Sequence, residues 1–330
     1  MLNLLRKQFV HMKKTLLPLL LITVFCASSN AQNLHMELLA RGGYMIDSAP
    51  HFYADNVTLV VGGTIDEHFS YLWKQRLTRP LTGPQPLNGT DVLSLSYKTG
   101  PWTFSAGKQV LDCGGLEYDA PPIDVHFSTE SFNHINCYVL GLSAGRKFGA
   151  LTLNAQVSRS PFAELGDARM NTLMAYSIAL HSEYGRLWVP HYSVNLFEVT
   201  PGAYSFQFSL GNRFEVTKWL SLECDFMNRS QPGGVNLFKD FSVVGYASVK
   251  PFDWMEIMFK AVYDRNNLWD DPLVAKGTDL LKIGTGAYFF PTKDRHSVRL
   301  HYYLYNWAGQ TCLEMGLTIK PTLLNIDFKK

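Results

Sequence analysis

His191, Ser193 and Asn195 occupy alternate positions of "HYSVN" and so share one face of an extended strand. A histidine beside a serine can take the hydroxyl proton and turn the oxygen into a nucleophile, the arrangement of an ester hydrolase. An esterase or deacylase acting on lipid would present that pair to acyl chains. Here Trp188, Pro190, Tyr192, Val194 and Leu196 form the apolar mate of the pair, so His191 and Ser193 are expected to face water as polar lining. Lipid hydrolysis is kept as the alternative. A second group is the run 112–134, which holds Asp112, Glu117, Asp119, Asp124 and Glu130 but no lysine or arginine. Folded against a basic wall, such a run creates a transverse field that filters solutes by charge and size. Leu116, Tyr118, Ile123, Val125 and Phe127 are interleaved with the acids and need burial, which favours that inward fold over a solvated surface run.

Cys113 and Cys137 lie at the two ends of this loop. A bridge would close a loop of about 24 residues and contribute a few kcal/mol; two free thiols are the other reading. No CxxC pair, Cys/His ligand cluster or phosphate-binding glycine loop is present, so neither a metal nor a cofactor is expected.

The elements that must hold these residues are strands. In "AYSFQFSLGNRFEVTKWLSLECDFMNRS", Tyr204, Phe206, Phe208 and Leu210 alternate with Ser205, Gln207, Ser209 and Gly211, and the pattern restarts with Leu220, Leu222, Cys224 and Phe226. The same period predicts strands over 33–46, 56–65, 67–78, 91–98, 101–111, 135–146, 150–159, 171–183, 186–198, 203–214, 217–228, 240–250, 253–264, 278–290, 296–306 and 311–320, the last extending toward Phe328. The count is about 16, or 14 if 56–65 and 186–198 do not span. Connections alternate too: near 66, 99, 147, 184, 215, 251 and 292 they are brief, whereas 47–55, 79–90, 112–134, 160–170, 229–239 and 265–277 are long. Short turns at one end and long loops at the other are the arrangement of a transmembrane antiparallel β-barrel, an all-β fold with short periplasmic turns and long extracellular loops.

Residues 1–31 read as a signal peptide: Arg6, Lys7, Lys13 and Lys14, then an apolar run ending in "SSNA". Four of the 30 basic residues lie there, leaving 26 against 28 acids, and no nucleic-acid partner is indicated. Trp102, Trp219, Trp254, Phe69 and Tyr71 follow the short turns, as in an interfacial girdle. Residues 32–330 are read as one domain in the outer membrane of a Gram-negative bacterium, in contact with lipid and lipopolysaccharide. A secreted β-rich binding module alternates as cleanly and is the remaining alternative.

"WTFSAGKQVLDCGGLEYDAPPIDVHF", residues 102–127, resembles the strand and long third loop of Gram-negative porins, and is most similar to Bacteroidetes porins grouped with the phosphate-selective porins O and P. The resemblance implies a 16-stranded barrel, usually a trimer, through which small hydrophilic solutes and ions diffuse passively. It also implies that 112–134 is the constriction loop, with Gly107 and Lys108 beside it. The family's lysine and arginine ladders are not reproduced. Arg41, Lys74, Arg76, Lys108, Arg213, Lys260, Lys282 and Arg299 are the expected basic wall, against Glu37, Glu183, Glu223, Asp225, Glu256 and Glu314. This mixture argues against phosphate selectivity and for weak selectivity, tending to cations if the acidic run lines the path.

Overall fold

The computed structural model describes residues 32–79, 89–164, 172–292, 294 and 297–328; the expected signal peptide lies outside the described residues. Alternating sequence becomes alternating exposure. Along Leu151–Arg159, for example, Leu151, Leu153, Ala155 and Val157 point outward while Gln156 and Ser158 are buried inside. The strands are β1 Asn33–Ile46, β2 His51–Thr64, β3 Phe69–Arg76, β4 Thr90–Thr99, β5 Trp102–Val110, β6 Tyr138–Phe148, β7 Leu151–Arg159, β8 Met174–Ser182 and β9 Trp188–Thr200. They continue as β10 Ala203–Glu215, β11 Leu220–Arg229, β12 Asp240–Phe252, β13 Met255–Asn266, β14 Thr278–Phe289, β15 Val298–Trp307, β16 Gln310–Ile319 and β17 Thr322–Asp327.

From β1 to β16 each strand pairs antiparallel with its sequence neighbour, and β1 closes the ring by pairing with β2 on one side and with β16 and β17 on the other. The last two segments are halves of one stave. Pro321 interrupts it because proline has no N–H for the ladder, while its carbonyl still accepts from Leu38 N at 3.1 Å. The result is a closed 16-stranded cylinder, and both 56–65 and 186–198 span it, which removes the 14-strand alternative. The first of these begins earlier than expected, at His51, where the ladder extends to Met45↔His51 and Tyr44 packs on Phe52 at 4.8 Å.

The apolar stripes lie on the outside. Leu142 is 64% exposed, Ile178 57% and Phe259 53%, and such residues recur on stave after stave. A sandwich would bury that face between two sheets; here it forms a continuous apolar belt of the kind acyl chains cover. Trp102, Trp219 and Trp254 stand exposed at the short-turn end, Trp254 stacked on Phe252 at 5.2 Å.

The interior is less uniformly polar than strict alternation implies. Inward Phe197, Met227, Val244 and Val262 pack with Leu111, Tyr118 and Ile135, and with Phe162, Leu273 and Val274 from other long loops. Loop side chains therefore complete an apolar cluster that the wall alone could not bury. At the long-loop end, Arg229 sits 2.8 Å from Asp240 and 3.1 Å from Asp271, all buried. Removing one partner of such a group typically costs about 3–5 kcal/mol, so the pairing fixes the 267–277 loop to β11 and β12.

Candidate functional site

The long connection after β5 turns into the cylinder. It forms a helical turn at Leu116–Asp119, a 3-10 turn at Pro122–Asp124 and a helix at Glu130–His134. Pro122 supplies the fixed φ at the start of the 3-10 turn, and the Thr129 hydroxyl caps the last helix by accepting from Phe132 N at 3.1 Å. The wall then satisfies the loop backbone. Asp225 accepts from Leu116 N at 3.1 Å and from Glu117 N at 2.7 Å, and Asp264 accepts from Glu130 N at 3.0 Å. Ser209 donates to Cys113 O at 3.0 Å, Arg41 to Val125 O at 2.9 Å, Lys260 to His126 O at 3.1 Å and Lys282 to Ser128 O at 2.7 Å. These anchors lie on β1, β10, β11, β13 and β14, so the loop crosses the lumen. The approach is close enough to demand glycine at Gly211, where a Cβ would stand 2.8 Å from Leu116 N.

All five acids of 112–134 meet partners on the wall or in the β8–β9 turn. Glu117 pairs with Lys260 at 2.8 Å, Glu130 with Lys282 at 2.7 Å, and Asp124 with Arg299 at 2.6 Å and Lys320 at 2.9 Å. Asp112 lies 3.4 Å from His181 and accepts from Asn154; Asp119 accepts from Tyr184 Oη at 2.9 Å. Burial alone would raise the Asp124 carboxyl, but Arg299 and then Lys320 outweigh it and hold it below the usual range.

The expected basic wall divides by what it touches. Lys260, Lys282 and Arg299 meet loop acids, and Arg41 meets loop carbonyls and Asp55. Arg76 pairs with Asp91 at 2.6 Å, and Arg213 with Glu215 and Glu223 at 2.6 and 2.8 Å, so these two are held by wall carboxylates. Lys74 shares an inward row with Val60 and Val92. Lys108 is buried and stands level with outward-facing Leu93 and Leu140, next to Gly107 (φ 120°). Glu183 lies past β8 in an exposed turn, bonded to Lys147, instead of on the wall. Lys320, not counted among the wall bases from sequence, belongs with Arg299.

A second group escaped sequence reasoning because its members are 261 positions apart at the extremes. Glu314 accepts from Tyr53 Oη at 2.6 Å and lies 3.1 Å from His126 Nδ1 and 3.3 Å from His301 Nε2. His126 also stacks on Tyr303 at 3.9 Å, beside Tyr288, with Arg41 and Lys260 nearby. Burial lowers its pKa to about 4, against the pull of Glu314, so near neutrality it is an uncharged imidazole. Undocking restores the ordinary value of 6.5, and the undocked loop then binds more protons between pH 6.5 and 4. Docking is therefore expected to weaken as pH falls through that window, by about 1.4 kcal/mol per unit and about 3 kcal/mol in all. Asp124, whose pKa is depressed, adds its loss only at lower pH. Single-channel records should grow noisier from pH 6.5 to 4, and His126→Asn should flatten the change; identical pH profiles would refute the assignment.

Two cavities flank the loop. One of about 500 Å3 is lined by Arg41, Arg76, Lys282, Asp55 and Glu314 among others, and one of about 150 Å3 by Glu117, Asp225, Glu223 and Lys260 among others. Cys113 and Cys137, the candidate bridge, are free thiols in one apolar cluster. Burial pushes the Cys113 thiol well up and Cys137 to about 12, so neither supplies the thiolate that exchange needs at neutral pH. His191 and Ser193 do face the interior, 2% and 3% exposed, while Val194 and Leu196 face out. Their partners are separate: His191 Nε2 meets Ser182 O at 3.3 Å, and Ser193 Oγ accepts from Asn195 at 3.0 Å.

No family model matches the sequence, and no curated protein does either. Solved structures match in fold. A mutant of Rh. blastica porin aligns at 10% identity over 87% of this chain and all of its own, with a TM-score of 0.59. A loop-deletion mutant of OmpT, an outer membrane protein of Vibrio cholerae, aligns at 11% identity over 88% of this chain and all of its own, with a TM-score of 0.60. At such identities the likeness establishes the architecture, the closed 16-strand antiparallel barrel of the outer-membrane type.

Proposed function

We propose that the chain is an outer-membrane porin: small hydrophilic solutes and ions diffuse passively through its lumen past a constriction formed by 112–134. The observation that carries this reading is the combination of an apolar exterior on a closed cylinder with a charged loop anchored across its interior. Lipid covers the first, water wets the second, and the barrel lowers the barrier that a bilayer presents to polar solutes. The reading requires no cofactor and no covalent step. The separate hydrogen-bond partners of His191 and Ser193, both turned from lipid, support polar lining over ester hydrolysis. On this reading the partners are outer-membrane lipid and lipopolysaccharide, and the assembly is the homotrimer that the resemblance of 102–127 implies. That segment also supports the finer kinship with the porin O and P group, without phosphate selectivity.

Reconstitution of the purified protein in planar bilayers tests the proposal. Stepwise current increments that scale with salt concentration are expected. Insertion without conductance, or hydrolysis of a lipid ester that disappears in Ser193→Ala, would overturn it.

A further inference from the structure

Three residues from distant parts of the chain converge at the short-turn end of the lumen: Asp119 on the loop, His181 near the end of β8 and His191 near the start of β9. One ligand atom of each lies within 4.8 Å of the other two. Sequence spacing conceals the group, since no two of the three share a local metal-binding motif.

We propose that Asp119, His181 and His191 bind a divalent transition cation of the Zn2+ class. His191 carries the argument. Its Nε2 faces the Ser182 carbonyl at 3.3 Å, which makes that nitrogen the protonated one and leaves a lone pair on Nδ1. Nδ1 is buried without a hydrogen-bond partner and lies 3.7 Å from Asp119 Oδ2, too far for a hydrogen bond. A donor atom held in one tautomer by a backbone carbonyl, with its other nitrogen free toward a carboxylate, is how metal-ligating histidines are set.

The other members fit the same arrangement. The His181 and His191 rings are 5.1 Å apart and nearly perpendicular, at 85°, so they do not stack on each other. Asp112 stands 3.4 Å from His181 Nε2 as an orienting carboxylate, and Tyr184 Oη orients Asp119. Donors on a tetrahedral ion with bonds of about 2.1 Å stand about 3.4 Å apart, so closure needs a contraction of up to about 1.4 Å. Asp119, the last residue of its helical turn, lies on the loop and can move inward. The side chains of Asp119 and His181 are 37% and 30% exposed, leaving the cluster open to ions from solution. Two imidazoles and one carboxylate suit zinc, copper or nickel; magnesium and calcium prefer all-oxygen shells. The His126, His301 and Glu314 cluster is different, because its converging atoms already bond to one another and to Tyr53. A bound ion would tie the loop to β8 and β9, a consequence independent of whether the lumen conducts.

The test is calorimetric titration of the detergent-purified, untagged protein with ZnCl2 and with MgCl2. One Zn2+ site is expected, with no Mg2+ binding there, and His191→Gln and Asp119→Asn should each weaken Zn2+ binding at least tenfold. His35→Gln, which removes a half-buried histidine of β1 that pairs with Glu37, should leave it unchanged. Asp119→Asn alters only a loop carboxylate, so it decides the matter if His191→Gln does not fold. Absence of Zn2+ binding, equal binding of Mg2+, or binding unaffected by Asp119→Asn would overturn the assignment.

Discussion

Replacing residues 114–134 by a short Gly/Ser linker is expected to raise single-channel conductance severalfold. A 16-stranded cylinder without internal plugging leaves a continuous aqueous channel, and here the loop fills part of that space, with cavities of about 500 and 150 Å3 beside it. The barrel should survive, because its ladder closes through β1 and does not depend on the loop. Part of the interior cluster would become wet, including Val244 and Val262, so a gentler variant separates opening from unfolding. Asp225→Ala removes the acceptor for both Leu116 N and Glu117 N, and each amide left without a partner costs about 1–3 kcal/mol. That variant should flicker between wild-type and enlarged conductance. Unchanged conductance in both would show that ions pass without meeting the loop.

Much of this arrangement was legible in the sequence, for reasons visible in single strands. Leu151, Leu153 and Val157 against Gln156 and Ser158 give face and register at once, because a strand has period two and the belt tolerates almost no charge. An inward course of 112–134 is what Leu116, Tyr118 and Ile123 lead one to expect, and all three side chains are buried. What the sequence did not disclose is pairing across the lumen. Whether Asp124 meets Arg299 or Arg213 depends on which stave stands opposite, and that follows from closure of the whole ring. The same reason hid Tyr53, His126, His301 and Glu314, and it hid Asp119 beside His181 and His191.

On the proposed reading, those pairings set the charge selectivity. An acid-only loop suggests cation preference, yet Glu117, Glu130 and Asp124 are each matched by at least one base, and Asp124 by two. The wild type should therefore be weakly selective. Glu117→Gln, Asp124→Asn and Glu130→Gln together would leave Lys260, Lys282, Arg299 and Lys320 without these loop partners, with Arg41 beside them. A unit charge 4 Å from a passing ion contributes about 4 kcal/mol at an effective dielectric of 20, so even a quarter of that alters permeability about fivefold. Reversal potentials should show the anion-to-cation ratio rising by at least about fivefold in 0.1 M salt and by less in 1 M, as the Debye length shrinks from about 10 to about 3 Å. A ratio unmoved by removing three carboxylates would place the permeation path away from them, on the far side of the loop from its paired face.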